Sequence, residues 1–337
     1  MAKIVFFETE KWEEEFFSSQ LPNNELLFSP LKLEPNHDYD SHLLEAEILS
    51  IFSFDQAPKE VLEKFPNLKH IAIRSTGYDN TDLAYCKEKG IVVSNVPAYG
   101  VHSVAEQTIG LMLALSRKLI PSIERTRKGD FSLDGLRGFE LFGKTLGVIG
   151  TGNIGSVVAQ LCVGLGMKVV AHNRHEDEEL KKMGVQFTDL DSLLGQSDVV
   201  TLHLPYLEAT KHTINMGNIT KFKKGALLIN AARGGLVETQ AILEGLEQGI
   251  LGGAGLDVLE EEYNMREERE LLSTKFLESH DLKTQLMDHI LLDREDVIIT
   301  PHNAFNTNEA MHQILDVTAK NIQQFLANTP QNVVGAE

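Results

Sequence analysis

The stretch Leu146-Gly-Val-Ile-Gly-Thr-Gly-Asn-Ile-Gly155 decides the fold that this chain adopts. It places Gly150, Gly152 and Gly155 in the spacing G-x-G-x-x-G, after an apolar strand and before a helical segment. In that context the glycines predict a dinucleotide-binding turn. Gly150 permits the tight turn, Gly152 lets a pyrophosphate approach the backbone, and Gly155 lets the helix pack closely on the strand. The N–H groups that open the helix suit the anion.

On both sides of this turn, short β-rich runs alternate with longer amphipathic segments, which is typical of parallel α/β architecture. The sequence therefore predicts two doubly wound parallel-sheet domains, with the long apolar helix Val101–Lys118 between them. The predicted strands are Ile4–Phe7, Ala46–Ile51, His70–Arg74 and Ile91–Asn95 in the first domain, and Leu146–Ile149, Lys168–His172, Asp198–His203, Ala226–Asn230, Gly253–Val258 and Val297–Thr300 in the second.

The composition argues against several classes of protein. The formal net charge of −18 over 337 residues opposes sequence-independent binding to nucleic acid or to an anionic membrane surface. Cys86 and Cys162 are too few for a disulfide scaffold, and the pair His172 and His175 lacks a third ligand, so no metal is expected. Because there is neither a secretory leader nor an apolar run of membrane length, a cytoplasmic location is expected.

The ribose position of the dinucleotide is predicted about twenty residues beyond the glycines, where a carboxylate usually binds the 2′-hydroxyl. Here Asn173 takes that place and Arg174 follows it. An arginine suits the 2′-phosphate of NADP, whereas Glu176 and Asp177 just beyond would oppose a phosphate. The residues therefore leave NAD and NADP open.

Three polar features recur at predicted strand ends of the second domain, at the edge where open α/β sheets bind ligands. They are Arg233 beside two glycines, the acidic run Asp257–Glu262, and His302 in Pro301-His-Asn-Ala-Phe305. Together they supply what reduction of a 2-oxo acid needs. An arginine suits the carboxylate, a histidine protonates the carbonyl oxygen near neutral pH, and a carboxylate orients the imidazolium.

These motifs resemble the D-isomer-specific 2-hydroxyacid dehydrogenase family over essentially the whole chain. The resemblance rests on the glycine turn, on Ala231-Ala-Arg-Gly-Gly235, on the spacing of five residues between Asp257 and Glu262, and on Pro301–Phe305. It implies that the cofactor carries the hydride, so that the protein needs no nucleophile.

The resemblance implies a Rossmann dinucleotide-binding domain over residues 101–303 and a smaller, flavodoxin-like substrate domain over residues 1–100 and 304–337. Within the family, Tyr99 and Phe305 match the branch that acts on D-lactate. A bulky aromatic at the wall of the pocket favours a substrate with a small side chain, such as the methyl group of pyruvate.

The resemblance also implies the residues of the site. His302 would be the acid–base group, Glu262 its partner, and Arg233 the group that holds the substrate carboxylate. The implied substrate residues are Ser75, Thr76, Gly77, Tyr99 and Phe305. The implied cofactor residues are Gly150, Gly152, Asn153, Ile154, Gly155, Asn173, Arg174, His203, Pro205, Ala231, Ala232 and Asp257.

The function expected from this resemblance is the reversible reduction of a short 2-oxo acid, pyruvate above others, to the D-2-hydroxy acid, with NAD(H) or NADP(H) as cofactor. A homodimer joined through the larger domain is implied, with no nucleic-acid or membrane partner. Two alternatives stay open. One is a glyoxylate or hydroxypyruvate reductase of the same family, and the other is a dinucleotide-sensing corepressor without turnover.

A charged segment, Tyr263–Asp296, separates Glu262 from His302. Its apolar residues predict an amphipathic helix; they are Leu271, Leu272, Phe276 and Leu277. A surface helix is the favoured interpretation, because charge-rich segments are usually solvated. A lid over the site and a dimer contact are the alternatives.

Overall fold

The protein is described here by a computed structural model, which covers residues 1–35, 37–52, 55–260 and 282–335. Glu262 and the helix predicted around Leu271 and Phe276 lie outside these residues. The chain divides into two compact units. Unit 1 consists of Met1–Gly100 and Asn306–Glu337, and unit 2 consists of Val101–Phe305.

Unit 1 is an α/β layer structure on one parallel sheet. Its strands are β1 (Lys3–Phe6), β2 (Glu25–Phe28), β3 (Ile48–Ile51), β4 (His70–Ile73) and β5 (Val92–Ser94), in the spatial order β2-β1-β3-β4-β5. Its helices are α1 (Lys11–Gln20), α2 (Ser41–Leu44), α3 (Lys59–Leu62), α4 (Leu83–Lys89) and the C-terminal helix Asn308–Leu326. Ile4 and Phe6 enter one apolar cluster, and Val5 and Phe7 enter the other. Because side chains alternate along a strand, β1 is covered on both faces, which explains its continuous apolar run.

The C-terminal helix completes unit 1. Its start is capped by Thr307, whose hydroxyl accepts from the N–H of Ala310. Leu315 and Ile322 of this helix are buried in the same cluster as Phe6 and Phe17. One face of the first sheet is therefore covered by the last helix of the chain.

Unit 2 is built on a seven-stranded sheet in which every strand pairing is parallel. Its strands are β6 (Thr145–Ile149), β7 (Lys168–His172), β8 (Gln186–Phe187), β9 (Val199–Leu202), β10 (Ala226–Asn230), β11 (Leu251–Leu256) and β12 (Val297–Ile299). Its helices are α5 (Val101–Ser116), α6 (Leu119–Arg127), α7 (Asn153–Gly164), α8 (Glu178–Lys182), α9 (Leu190–Gln196), α10 (Thr239–Glu247) and the helix Leu282–Leu292. The predicted fold class, α/β with two parallel-sheet domains, is confirmed.

The strand order of unit 2, β12-β11-β10-β9-β6-β7-β8, reverses between β6 and β9. The chain runs outward from β6 to β7 and β8 on one side, and from β9 to β12 on the other. Ligands of open α/β sheets bind at the carboxyl ends of the strands that flank such a reversal. The glycine turn follows β6, so this topology places it at the ligand-binding edge.

The helix predicted from Val101 to Lys118 is α5, which ends at Ser116. Lys118 adopts a left-handed conformation with φ +52°, which breaks the helix before α6 begins at Leu119. Within unit 2, α5 packs on α7, β10 and β11. Across the described parts of the chain, no helix has both the length and the apolar character that crossing a membrane requires.

Candidate active site

The glycine-rich turn after β6 depends on two close backbone approaches. Gly150 has φ +93°, and its N–H donates to the carbonyl of His172 at 2.8 Å. A Cβ at Gly150 would come within 2.7 Å of the carbonyl oxygen of His203, and one at Gly155 within 1.9 Å of the carbonyl oxygen of Gly150. Both positions therefore require glycine.

Gly152 is different, because a Cβ there would meet nothing within 4 Å. As the N-cap of α7, this residue offers no side chain to the N–H groups of Asn153 and Ile154 that open the helix. The hydroxyl of Thr151 is buried without a hydrogen-bond partner among the residues that the structure describes. Open space, N–H donors and an orphaned hydroxyl fit a phosphate group of a dinucleotide.

On the other side of the strand reversal, β9 leads into His203, whose N–H donates to the carbonyl of Ile149 at 2.8 Å. Its Nε2 lies 3.0 Å from Oγ1 of Thr201. Burial lowers the pKa of His203 to about 4, so the ring is neutral at physiological pH. Pro205 is exposed, and its carbonyl accepts from Oγ1 of Thr210 at 2.6 Å. Two further predicted cofactor residues thus lie at the strand reversal.

Beside β6, β7 ends at His172, and Asn173 and Arg174 follow directly. The N–H of Gly150 donates to the carbonyl of His172, so the backbone of Asn173 and Arg174 begins next to the glycine turn. Asn173 is half-buried, whereas Arg174 is exposed. The structure therefore brings the predicted ribose residues to the predicted phosphate residues.

Arg233 follows β10 in a turn that Asn230 organises. Nδ2 of Asn230 donates to the carbonyl of Arg233 at 2.9 Å, and Oδ1 accepts from the N–H of Ala232 at 3.1 Å. Nη1 of Arg233 donates to the carbonyl of Ala232 at 2.8 Å. Asn230 and Ala231 are buried, so the turn is anchored in the core at the end of β10. Asn230 was not among the predicted site residues, although a polar residue that ends an apolar strand is a signal for such a role.

Of the two glycines after Arg233, Gly234 is required by packing against backbone atoms, whereas Gly235 meets only the side chain of Tyr206. A Cβ at Gly234 would come within 1.9 Å of the carbonyl oxygen of Leu259, and one at Gly235 within 2.6 Å of the ring of Tyr206. The approach of Gly234 to Leu259 packs the Arg233 turn against the segment that follows β11. The guanidinium-bearing turn and the acidic segment are therefore neighbours.

Asp257 is the residue that joins the acidic segment to the histidine loop. Its side chain, 1% exposed, accepts from Oγ1 of Thr300 at 2.5 Å and from the N–H groups of Asn303 and Ala304 at 3.1 and 2.9 Å. Burial raises the pKa of Asp257, while these hydrogen bonds and the charge of His302 act in the opposite direction. Asp257 was expected only as a cofactor residue, and its hydrogen bonds to the histidine loop were not predicted.

His302 lies in the loop after β12, held from both sides. Its N–H donates to the carbonyl of Asp257 at 2.8 Å and to that of Thr300 at 2.9 Å. Its φ of +50° is a left-handed conformation that non-glycine residues rarely adopt. The ring of Phe305 meets the imidazole edge to face, with 6.2 Å between centroids. An unusual backbone conformation at a polar loop residue is a mark of functional sites.

Glu262 lies outside the described residues, but its neighbour Glu260 is described. One oxygen of Glu260 is 2.5 Å from Nε2 of His212, and the other accepts from the N–H and the hydroxyl of Thr239 at 3.1 and 2.9 Å. Both oxygens of Glu260 are thus engaged, one of them at the first residue of α10. That Glu262 partners His302 stays a prediction.

The predicted substrate loop of unit 1 follows β4. Oγ of Ser75 donates to the carbonyl of Gly77 at 2.8 Å, and Oγ1 of Thr76 donates to that of Val96 at 2.9 Å. Because the hydroxyls serve the loop itself, a ligand at this loop would be bound through backbone N–H groups, such as those of Thr76 and Gly77. Tyr99 is part of the same unit and is half-buried.

The residue before this loop, Arg74, was not singled out by the sequence analysis. It is 1% exposed, and its guanidinium donates to Oε1 of Glu13 at 3.3 Å and to the carbonyls of Phe7 and Glu8 at the end of β1. Burial raises the pKa values of Glu8 and Glu13, against the effect of the Arg74 charge. Burial likewise raises the pKa of Asp55 to about 7.

Comparison with known proteins agrees with this geometry. A family model described as "D-isomer specific 2-hydroxyacid dehydrogenase, NAD binding domain" matches residues 109–304. The chain belongs to the D-isomer-specific 2-hydroxyacid dehydrogenase family. It is therefore an oxidoreductase that uses a nicotinamide cofactor, as the sequence analysis predicted.

Relatives of this 2-hydroxyacid dehydrogenase resemble it over most of their length. 2-hydroxyacid dehydrogenase A of Aspergillus oryzae is 36% identical over 96% of this chain and 92% of its own. D-lactate dehydrogenase of Escherichia coli is 36% identical over 82% of each chain.

Solved structures of similar enzymes cover the whole fold. D-lactate dehydrogenase from Aquifex aeolicus, complexed with NAD and lactic acid, has a TM-score of 0.86 and 36% identity over 99% of both chains. The pyruvate reductase of Chlamydomonas reinhardtii has a TM-score of 0.86 and 34% identity over 98% of both chains.

Proposed function

We propose that this dehydrogenase reduces pyruvate to D-lactate, reversibly, with His302 as the acid–base group. The observation that carries the proposal is the loop of His302, which Asp257 fixes through two main-chain N–H groups and one hydroxyl. The turn of Arg233 packs, through Gly234, against Leu259 in the segment that follows β11 and begins with Asp257. The proposed carboxylate-binding cation therefore follows β10 and the proposed proton donor follows β12, the two strands that flank β11.

The nicotinamide supplies or accepts a hydride when the cofactor is bound. His302 gives a proton to the carbonyl oxygen as the hydride reaches the 2-carbon, and it takes this proton back in the reverse direction. Arg233 binds the substrate carboxylate through two N–H groups and stabilises the alkoxide that develops. Glu262 stabilises the protonated imidazole. Asp257 contributes by positioning the loop.

The residues that would hold the dinucleotide lie at the carboxyl edge of the unit 2 sheet, around the strand reversal. The N–H groups of Asn153 and Ile154 and the open face of Gly152 receive the pyrophosphate. His203, neutral because its pKa is about 4, adds no charge beside the nicotinamide. Asn173 takes the ribose and Arg174 lies beside it without contacting a plain ribose, and the predicted residues Pro205, Ala231, Ala232 and Asp257 belong to the nicotinamide end.

Pyruvate is the substrate that we favour because of Phe305. Its ring packs edge to face against the imidazole of His302, so bulk lies beside the proton donor and a methyl side chain fits better than a long one. In unit 1, Ser75, Thr76, Gly77 and Tyr99 keep the role in substrate binding that the family resemblance implies. The names of the Escherichia coli and Chlamydomonas relatives agree with this choice.

We also propose a homodimer that forms through unit 2. Large apolar side chains are concentrated on α6 and on the loop after it, all at least 42% exposed: Leu119, Ile120, Ile123, Phe131 and Leu133. Exposed patches of this kind mark protein interfaces. Light scattering on Ile123→Asp should give a monomer, whereas Leu31→Asp, an exposed leucine of unit 1, should remain a dimer.

A cytoplasmic location completes the proposal. Cys86 and Cys162 are free and buried, and burial raises the pKa values of their thiols to about 11 and about 12. Cysteines that stay as free thiols are usual in proteins of reducing compartments, which agrees with this location.

The test is a spectrophotometric panel of NADH and NADPH against pyruvate, glyoxylate, hydroxypyruvate and longer 2-oxo acids. We expect the highest kcat/KM with pyruvate. A higher value with glyoxylate or hydroxypyruvate would make the enzyme a reductase of those acids. Dinucleotide binding without turnover of any 2-oxo acid would favour the corepressor alternative.

A further inference from the structure

The end of β7 lacks the acidic side chain that distinguishes a ribose from a ribose phosphate. A carboxylate at this position binds the 2′-hydroxyl of NAD and repels a 2′-phosphate. Here the position belongs to Asn173, whose Nδ2 donates to the carbonyl of His175 at 2.9 Å. A neutral amide, already turned toward its own loop, offers no negative charge to oppose a phosphate.

The two acidic residues that follow are committed elsewhere. Oδ1 of Asp177 caps α8 by accepting from the N–H groups of Glu179 and Leu180 at 2.8 and 3.2 Å. Glu176 forms an ion pair with Lys181 at 2.5 Å. The two carboxylates that were expected from the sequence to oppose a phosphate therefore interact with α8, where a lysine and the helix N-terminus balance their charge.

Arg174 is the cation left at this end of the site. It is exposed and has no ion pair or side-chain hydrogen bond with any residue within the described ranges. The link from Gly150 to the carbonyl of His172 fixes its backbone next to the glycine turn. His175, also exposed, lies one residue beyond.

From these three observations we infer that the adenosine end of the cofactor site accepts a 2′-phosphate through Arg174, so that NADP(H) binds at least as tightly as NAD(H). The inference rests on the dehydrogenase function proposed above and adds to it the choice of cofactor. An arginine binds a phosphate with two parallel charge-assisted hydrogen bonds. Asn173 keeps hydrogen-bonding capacity for a plain ribose, so NAD(H) still binds.

The experiment measures binding rather than turnover. NADPH and NADH are titrated into wild-type protein, Arg174→Ala and Asn173→Asp, and the dissociation constants are read from nucleotide fluorescence. Displacement by 2′,5′-ADP and by 5′-AMP isolates the adenosine end. Lys182→Ala, which removes an exposed cation of α8 paired with Glu179, is the matched control for a general loss of positive charge.

In the wild type we expect the dissociation constant of NADPH to equal or fall below that of NADH. Arg174→Ala should weaken NADPH and 2′,5′-ADP about tenfold, the loss of one charge-assisted contact, and leave NADH and 5′-AMP nearly unchanged. Asn173→Asp should also weaken NADPH about tenfold by repulsion. Lys182→Ala should change none of these constants. Added salt should weaken NADPH more than NADH.

Two results would overturn the inference. One is an NADPH dissociation constant well above that of NADH in the wild type, and the other is an equal effect of Arg174→Ala on both dinucleotides. Tight binding of both dinucleotides with no turnover of 2-oxo acids would remove the proposed function and leave the phosphate subsite standing. NADH turnover with weak NADPH binding would do the reverse.

Discussion

The carboxyl ends of the two sheets are both held by buried ionisable side chains, but in different ways. In unit 1 the guanidinium of Arg74 lies among the carboxyl groups of Glu8, Glu13 and Asp55. In unit 2 the single carboxyl group of Asp257 accepts from one hydroxyl and two main-chain N–H groups. Removing the cation from a buried ion cluster leaves carboxylates without a counter-charge and destabilises the fold. A carboxylate that is satisfied by hydrogen bonds does not depend on a cation.

Because of this difference, we expect substitutions in the unit 1 cluster to lower stability and substitutions around Asp257 to lower activity. The unit 1 cluster joins the end of β4 to the end of β1 and to α1, so damage there should weaken the unit itself. The carboxylate of Asp257 in unit 2 holds a single loop, so a substitution there should lower kcat before it lowers the stability of the unit. Trp12, the only tryptophan, lies in α1, and its fluorescence therefore reports on unit 1 separately.

The largest expected effect is on the chemistry of unit 2. His302→Asn keeps a residue that tolerates the left-handed backbone but removes the proton donor, so kcat for pyruvate reduction should fall about 10²–10⁴-fold. Steady-state kinetics measure this loss, and the urea midpoint followed by Trp12 should hardly move. A kcat close to that of the wild type would refute the acid–base role.

The next effect belongs to unit 1. Arg74→Met leaves Glu13 buried without its cation, which should cost about 3–5 kcal/mol of unfolding free energy. Urea unfolding followed by Trp12 fluorescence measures this loss. The control is Lys59→Met, an exposed lysine of unit 1, for which we expect a change within about 0.5 kcal/mol. Equal shifts in the two variants would show that the buried cluster does not hold unit 1 together.

For Arg233 we expect the opposite result, a loss of activity without a loss of stability. Arg233→Lys replaces a two-pronged guanidinium by a point charge, so kcat/KM for pyruvate should fall about 100-fold. The unfolding free energy should stay near that of the wild type, because Arg233 lies in a turn that Asn230 already fixes. Unchanged kcat/KM would remove the role in substrate binding.

The smallest effect concerns pH. Burial raises the pKa of Asp55 from 3.8 to about 7, so the folded state retains a proton that the unfolded chain releases across that range. Unit 1 is therefore more stable at low pH and loses stability as the pH rises through 7, by at least about 1 kcal/mol. The raised pKa values of Glu8 and Glu13 act in the same direction.

Asp55→Asn should flatten this dependence, because the amide does not titrate. Urea unfolding at pH 5 and pH 8, again followed by Trp12, compares the variant with the wild type. Stability that rises with pH in the wild type, or an identical slope in both proteins, would contradict the prediction.

The strands that were easiest to predict are those covered on both faces. β6, β9 and β10 are largely apolar runs bounded by turn residues, and the glycine spacing identified the turn between β6 and α7. The edge strands β2 and β8 were missed, whereas the edge strand β12, which is half-buried throughout like β2, was predicted. β8 has two residues, and apolar periodicity carries no signal for a strand of that length.

The site was predictable in its residue types and not in its contacts. Arg233 and His302 were found because each is a polar residue at a strand end. The partners of Asp257 lie 43 to 47 residues away along the chain, and those of Arg74 lie 61 to 67 residues away. No local pattern shows that an arginine, usually an exposed residue, will be enclosed.

The C-terminal helix has a consequence for how the protein is made. The ribosome delivers the chain from its N-terminus, so β1 to β5 emerge early, while the helix that covers Ile4 and Phe6 emerges last. Unit 2 is continuous and complete before that helix is synthesised. A chain cut short after Phe305 would therefore carry a finished dinucleotide-binding unit behind an uncovered apolar sheet, and we expect such a product to be held by chaperones or degraded.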